Sequence, residues 1–134
     1  AREAGAAFAL SPGSTPALLE AARAMDDYPF VPGVATASEL MTVMSQGFHI
    51  VKFFPAAALG PSALRAMGAA FPHARFMPTG SVAEEDLEDW LALPNVIAVG
   101  GAWLAPKAEI DARDFAAIGR RAEAAAQRAR KLRA

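Results

Sequence analysis

The sequence predicts an α/β fold in which parallel strands alternate with helices, and three observations carry the prediction. Five short apolar segments each run into Pro or Gly: Phe8 to Gly13, Phe30 to Gly33, Ile50 to Pro55, Arg75 to Gly80 and Val96 to Gly101. Their landmarks Pro12, Pro32, Pro55, Pro78 and Gly100 lie 20, 23, 23 and 22 residues apart, the length of one strand plus one helix. The residues between them follow helical spacing. Such alternation implies parallel strands joined by right-handed crossovers. Near-continuous apolar strands such as Val96 to Val99 fit a sheet covered on both faces. Two architectures meet these conditions, an open doubly wound sheet and a closed (β/α)8 TIM barrel.

The helices follow in order. Thr15 can cap a first helix with Pro16 at its first position, and Leu18, Leu19 and Ala22 give it an apolar stripe. Thr36-Ala37-Ser38-Glu39 has capping-box spacing and opens a helix that buries Leu40, Val43 and Met44 and stops at Gly47. A third is expected from Gly60-Pro61 with Leu64 and Met67 inward. Ser81-Val82-Ala83-Glu84 repeats the capping-box spacing before a fourth that carries Leu87, Trp90 and Leu91 on one face. The last is expected from about Ala112 to Lys131, with Phe115, Ile118 and Ala122 as its buried side and a solvated basic end that suits the helix dipole.

Composition narrows the partners. A chain of 134 residues, 54% of them hydrophobic, is a single domain, residues 1–134, able to build a core. Lys plus Arg (13) nearly balances Asp plus Glu (14), so no field draws nucleic acid or an anionic membrane, and a small-molecule partner is expected. The longest apolar run, Val96 to Ala105, falls short of the roughly 20 residues of a membrane helix. Without cysteine there is no disulfide or thiolate-metal site, which fits a reducing cytoplasm. His49 and His73 have no metal-ligand spacing, so no metal and no cofactor are expected.

One lysine stands out. In His49-Ile50-Val51-Lys52-Phe53-Phe54-Pro55, alternation puts Ile50, Lys52 and Phe54 on one strand face and Val51 and Phe53 on the other. If the lysine's face is interior, desolvation favours the free amine, the usual Schiff-base nucleophile. A snorkelling lysine on an edge strand is the bland alternative.

No Gly-x-Gly-x-x-Gly or P-loop signature follows any strand, which weakens the nucleotide-binding open sheet. The last two strands instead end in Thr79-Gly80-Ser81 and Gly100-Gly101-Ala102. In barrels the loops after strands seven and eight commonly hold phosphate. Numbering the strands four to eight places these glycines there, and leaves three βα units to be supplied before the barrel closes.

Together, Phe8-Ala9-Leu10-Ser11-Pro12-Gly13, Val31-Pro32-Gly33-Val34-Ala35-Thr36, Lys52-Phe53-Phe54-Pro55-Ala56, Arg75-Phe76-Met77-Pro78-Thr79-Gly80 and Gly100-Gly101-Ala102-Trp103-Leu104 resemble the 2-keto-3-deoxy-6-phosphogluconate (KDPG) and 4-hydroxy-2-oxoglutarate aldolases. The resemblance covers the later five-eighths of that family's barrel, about five βα units. It implies a metal-independent class I aldolase that cleaves KDPG to pyruvate and glyceraldehyde 3-phosphate, with 4-hydroxy-2-oxoglutarate as a further substrate. Lys52 would form the Schiff base, Phe54 would wall the pyruvyl pocket, and Thr79 would control stereochemistry at the aldehyde carbon. Gly80, Ser81, Gly100 and Gly101 would form the phosphate end. A cytoplasmic homotrimer in the Entner-Doudoroff route is implied too. Two departures bear on the phosphate: Ser81 replaces a second glycine, and Ala102 replaces a Ser or Thr whose hydroxyl would contribute roughly 1.5 to 3 kcal/mol to a charged ligand.

The resemblance also implies a general-base glutamate from an early strand, and none of the 14 acids lies at the C-terminal end of a strand. The start without methionine, in what reads as a helix tail, leads to the expectation that the chain is a piece of a longer enzyme. The competing expectations are a non-catalytic half-barrel acting as a binding module, and a phosphosugar isomerase or synthase in which Lys52 serves as a charge.

Overall fold

The computed structural model describes residues 2–25 and 27–133. It is an α/β fold with parallel strands: β1 (Ala9–Leu10), β2 (Phe30–Val31), β3 (Gly33–Val34), β4 (Ile50–Phe53) and β5 (Arg75–Pro78). Only Pro32 separates β2 from β3, so residues 30–34 act as one strand that pairs with β1 through its first half and with β4 through its second. β4 and β5 share the longest register, Ile50 with Arg75 through Phe53 with Pro78. Each pairing joins neighbours in chain order.

The segment expected as a fifth full strand, Val96 to Gly101, makes only two isolated bridges, Val96 with Phe76 of β5 and Gly100 with Thr79 just past its end. Pro78 supplies the reason. It has no N–H to continue the ladder, and from one bridge to the next β5 advances three residues while the outer segment advances four, so one residue bulges out. The bonds on either side are sound: Ile97 N donates to Phe76 O at 2.9 Å and Gly100 N to Pro78 O at 3.0 Å.

The helices are α1 (Pro16–Arg23), α2 (Ala37–Ser45), α3 (Ala56–Ala70), α4 (Leu87–Leu91), α5 (Lys107–Asp111) and α6 (Phe115–Lys131). Local caps behave as the sequence predicts. Thr15 accepts from Leu18 N, and Thr36 and Glu39 form a reciprocal capping box. Elsewhere the expectations need correcting. α3 begins four residues early because its Ala56 and Ala57 N–H groups donate to Thr79 O and Gly80 O at 2.8 and 3.1 Å; the anticipated start is a kink at Gly60 (φ 80°) within the helix. Ser81 does not cap α4, since it sits at φ 55° in the preceding loop. α5 was not anticipated. Phe115, expected inward, is 65% exposed and Ala122 is exposed too, because α6 meets the core only near its end, through Ala129 and Leu132. Nor is its basic end merely solvated: Arg128 donates to Glu84 O at 3.1 Å, and Arg133 to Ile97 O at 3.2 Å and to Val96 O.

The core lies on one side of the sheet. Val51, Phe53 and Phe76 are fully buried among Leu40, Val43, Leu64 and Trp90. Phe53 meets Phe76 edge-on at 6.4 Å and Trp90 at 6.3 Å. At Gly33 the backbone of the β1 loop comes so close that a Cβ would stand 2.3 Å from Pro12 C, so only glycine fits. Among the described residues no helix is long and apolar enough to cross a membrane.

Candidate active site

Because β4 alternates, the helix-packed core on its Val51 and Phe53 side fixes where Lys52 goes, which is the other face. That face is more open than the sequence reading required. Ile50 is 45% exposed, Lys52 is half-buried and Arg75, paired with Ile50, is exposed, so among the described residues nothing encloses the lysine as a dry interior would. Its amine lies 4.7 Å from the centroid of the Phe54 ring, so these two predicted site residues do come together.

The loop after β5 builds the next wall. Thr79 N donates to Phe53 O at 3.0 Å, and the Thr79 and Gly80 carbonyls accept the first amides of α3. This ties the end of the lysine strand to the end of its neighbour. Gly80 has φ 101°, and a Cβ there would meet Phe54 Cδ2 and Cε2 at 2.8 Å. The absent side chain is the space that the Phe54 ring occupies, a role the sequence reading missed. Gly100 bridges Thr79, whose methyl would lie 2.7 Å from a Cβ at Gly100. The Gly100 N–H is already given to Pro78 O, whereas Ser81 and Gly101 donate to no acceptor among the described residues. Ser81 is exposed.

Several polar atoms just past the strand ends are buried without a hydrogen-bond partner among the described residues: Ser11 Oγ, Thr79 Oγ1 and Trp103 Nε1. A buried, unpaired donor or acceptor costs about 1 to 3 kcal/mol, and a native fold keeps few of them without a use. Ser11 and Trp103 stand in motifs the sequence offered, but no local pattern marks a hydroxyl or an indole N–H as unpaired.

The acid question comes out as the sequence indicated. Among the described residues no Asp or Glu occurs in the four positions after β1, β3, β4, β5 or Gly100; Asp26 lies outside the described residues. Glu39, five residues past β3, is committed to the capping box; the hydrogen bond from the Ala35 N–H is the largest influence on its carboxyl, burial opposes it, and the bonds from the Thr36 hydroxyl and N–H add to it, so that the carboxyl is held below the usual carboxylate range. The apolar cavity of about 510 Å³ between α4, α6 and Trp103 includes none of Lys52, Phe54 or Thr79 in its lining.

A lysine thus stands beside an aromatic face, with the Thr79 and Gly100 loops bridged past the ends of the strands. Residues 1–121 match the sequence profile of the KDPG and KHG aldolases. The chain belongs to that family. It is 45% identical over 130 residues to the 2-dehydro-3-deoxy-phosphogluconate aldolase of Pseudomonas aeruginosa, covering 96% of this chain and 58% of the relative. With the KHG/KDPG aldolase of Escherichia coli K12 it shares 43% identity, covering 96% of this chain and 60% of that one. Among solved structures it resembles the KDPG aldolase of Legionella pneumophila, captured with pyruvate as a covalent carbinolamine (TM-score 0.86, 42% identity, 92% of this chain and 60% of that chain). It also resembles the Zymomonas mobilis enzyme with 3-phosphoglycerate (TM-score 0.76, 38% identity, 80% and 51%). The chain thus spans about three-fifths of the curated relatives it matches.

Proposed function

We propose that this chain carries the nucleophile and the phosphate end of a class I aldolase that cleaves KDPG to pyruvate and glyceraldehyde 3-phosphate, and that also accepts 4-hydroxy-2-oxoglutarate. The observation that carries the reading is Lys52 on the strand face opposite the helix-packed core, with the Phe54 ring 4.7 Å away and the loops of Thr79 and Gly100 bridged beside it. Lys52 forms the Schiff base, Phe54 walls the pyruvyl group and Thr79 faces the aldehyde carbon. Gly80, Gly100 and Gly101 keep the loops free of side chains around the phosphate, and Ser81 and Gly101 offer it N–H donors.

The strands are read as four to eight of a (β/α)8 barrel. Parallel pairing in chain order, with no reversal among the described residues of the kind a doubly wound sheet has at its switch point, supports a barrel. The general base then comes from the part of the family's barrel outside these residues, and the assembled enzyme is a cytoplasmic homotrimer. Incubation of the longest product of the gene with pyruvate and borohydride should add a reduced pyruvyl group to Lys52. A Lys52→Ala variant still labelled to the same extent would sink the reading. A binding module without turnover is the competing reading, motivated by the lack of an acid after any described strand; KDPG cleavage by the 134 residues alone would remove it.

A further inference from the structure

The Phe54 ring faces the reacting atom itself. Lys52 Nζ lies 4.7 Å from its centroid, within the ~6 Å over which a ring quadrupole attracts a cation. Gly80 backs the ring: a Cβ there would stand 2.8 Å from two ring carbons. No salt bridge engages Lys52 among the described residues, so a carboxylate does not already balance charge at this nitrogen.

We propose that Phe54 is a catalytic residue, stabilising the positive charge that develops on Lys52 Nζ when the carbinolamine loses water. This rests on the aldolase reading. The ammonium first gives up a proton to solvent water, which returns it at the dehydration step. The Nζ lone pair then attacks C2 of the 2-keto acid, the carbonyl π pair moves to oxygen, and a proton passes from Nζ to that oxygen, leaving a neutral carbinolamine. The hydroxyl next departs as water with the proton released at the start, and the nitrogen lone pair closes the C=N bond. Ammonium plus ketone has become iminium plus water. The ring attracts the ammonium and the iminium but not the neutral carbinolamine between them, so once the carbinolamine has formed it favours the dehydration. Gly80 is a positioning residue that acts through the ring.

The test replaces Phe54, in the longest product of the gene, with phenylalanines bearing one, two and five ring fluorines, which keep the shape and progressively withdraw the electron density of the face. With pyruvate labelled at C2 with carbon-13, NMR at fixed pH separates the tetrahedral carbinolamine carbon from the trigonal iminium carbon. The iminium-to-carbinolamine ratio should fall stepwise, roughly threefold to tenfold across the series. Phe54→Leu, which keeps an apolar wall without a quadrupole, should give a ratio well below that of the native protein. An unchanged ratio with the adduct still on Lys52 would overturn this proposal and leave the Schiff-base reading standing. No adduct on Lys52 in the unmodified protein would overturn both.

Discussion

The β4–β5 pair and the segment from Val96 to Leu104 lie side by side and end at the same rim, yet they are held by different means. β4 and β5 share four consecutive registered pairs with Val51, Phe53 and Phe76 fully buried beneath them. The outer segment has two bridges with a bulge between, Ile97 at 38% exposure, and the guanidinium of Arg133, just past α6, on its carbonyls. Lys52, Phe54 and Thr79 are attached to the first region, Gly100 and Gly101 to the second. Packed, registered strands hold a side chain within a fraction of an ångström, the precision a bond-making group needs on the reading proposed above, and the bridged outer segment is the looser of the two mounts.

The contrast can be broken most completely at its chemical centre. Lys52→Ala should abolish borohydride-trapped adduct altogether, read by intact mass, with the urea midpoint little changed because the lysine is only half-buried. The next largest effect is on packing: Phe53→Ala should cost about 3 to 5 kcal/mol in urea unfolding, while Ile97→Ala on the outer segment should cost under about 1 kcal/mol. Equal losses would erase the distinction. Gly80→Ala forces a left-handed residue against the Phe54 ring and should cost about 1 to 3 kcal/mol. In a Phe54→Leu background the same change should cost measurably less, since the clash partner is gone.

Arg133→Ala sharpens the comparison from the other side. Losing the guanidinium should cost about 1 kcal/mol and speed hydrogen exchange at the Ile97 and Gly100 amides while leaving those of Val51 and Phe53 unchanged. Smallest is the Glu39 capping box. Its carboxyl is held below its ordinary range in the folded chain, so its contribution is fully present above that range and fades as pH falls through the lowered value. Glu39→Gln should therefore destabilise by a few tenths of a kcal/mol at pH 7, up to about 1, with the difference from the parent closing in acid.

What could be read in the sequence was whatever closes on itself locally. Thr15-Pro16 and Thr36 with Glu39 complete their bonds within four residues, so their helices begin where the motifs say. The identical spacing at Ser81 and Glu84 fails because the loop after β5 holds Ser81 at φ 55°. The early start of α3 depends on carbonyls from Thr79 and Gly80, over 20 residues away, and the broken outer strand depends on its neighbour being Pro78. Period-two alternation correctly separated Lys52 from Val51 and Phe53. It carried no information on what lies over the lysine, since that is decided by residues remote in the chain.

The paired carbonyls of Thr79 and Gly80 that receive the first amides of α3 make the ends of two adjacent strands a single clasp. Residues 82–86 leave that clasp without sharing its bonds. An insertion between Ala83 and Asp86, past the buried Val82, would therefore leave that carbonyl clasp intact, and with it the spacing of the Lys52 amine and the Phe54 ring.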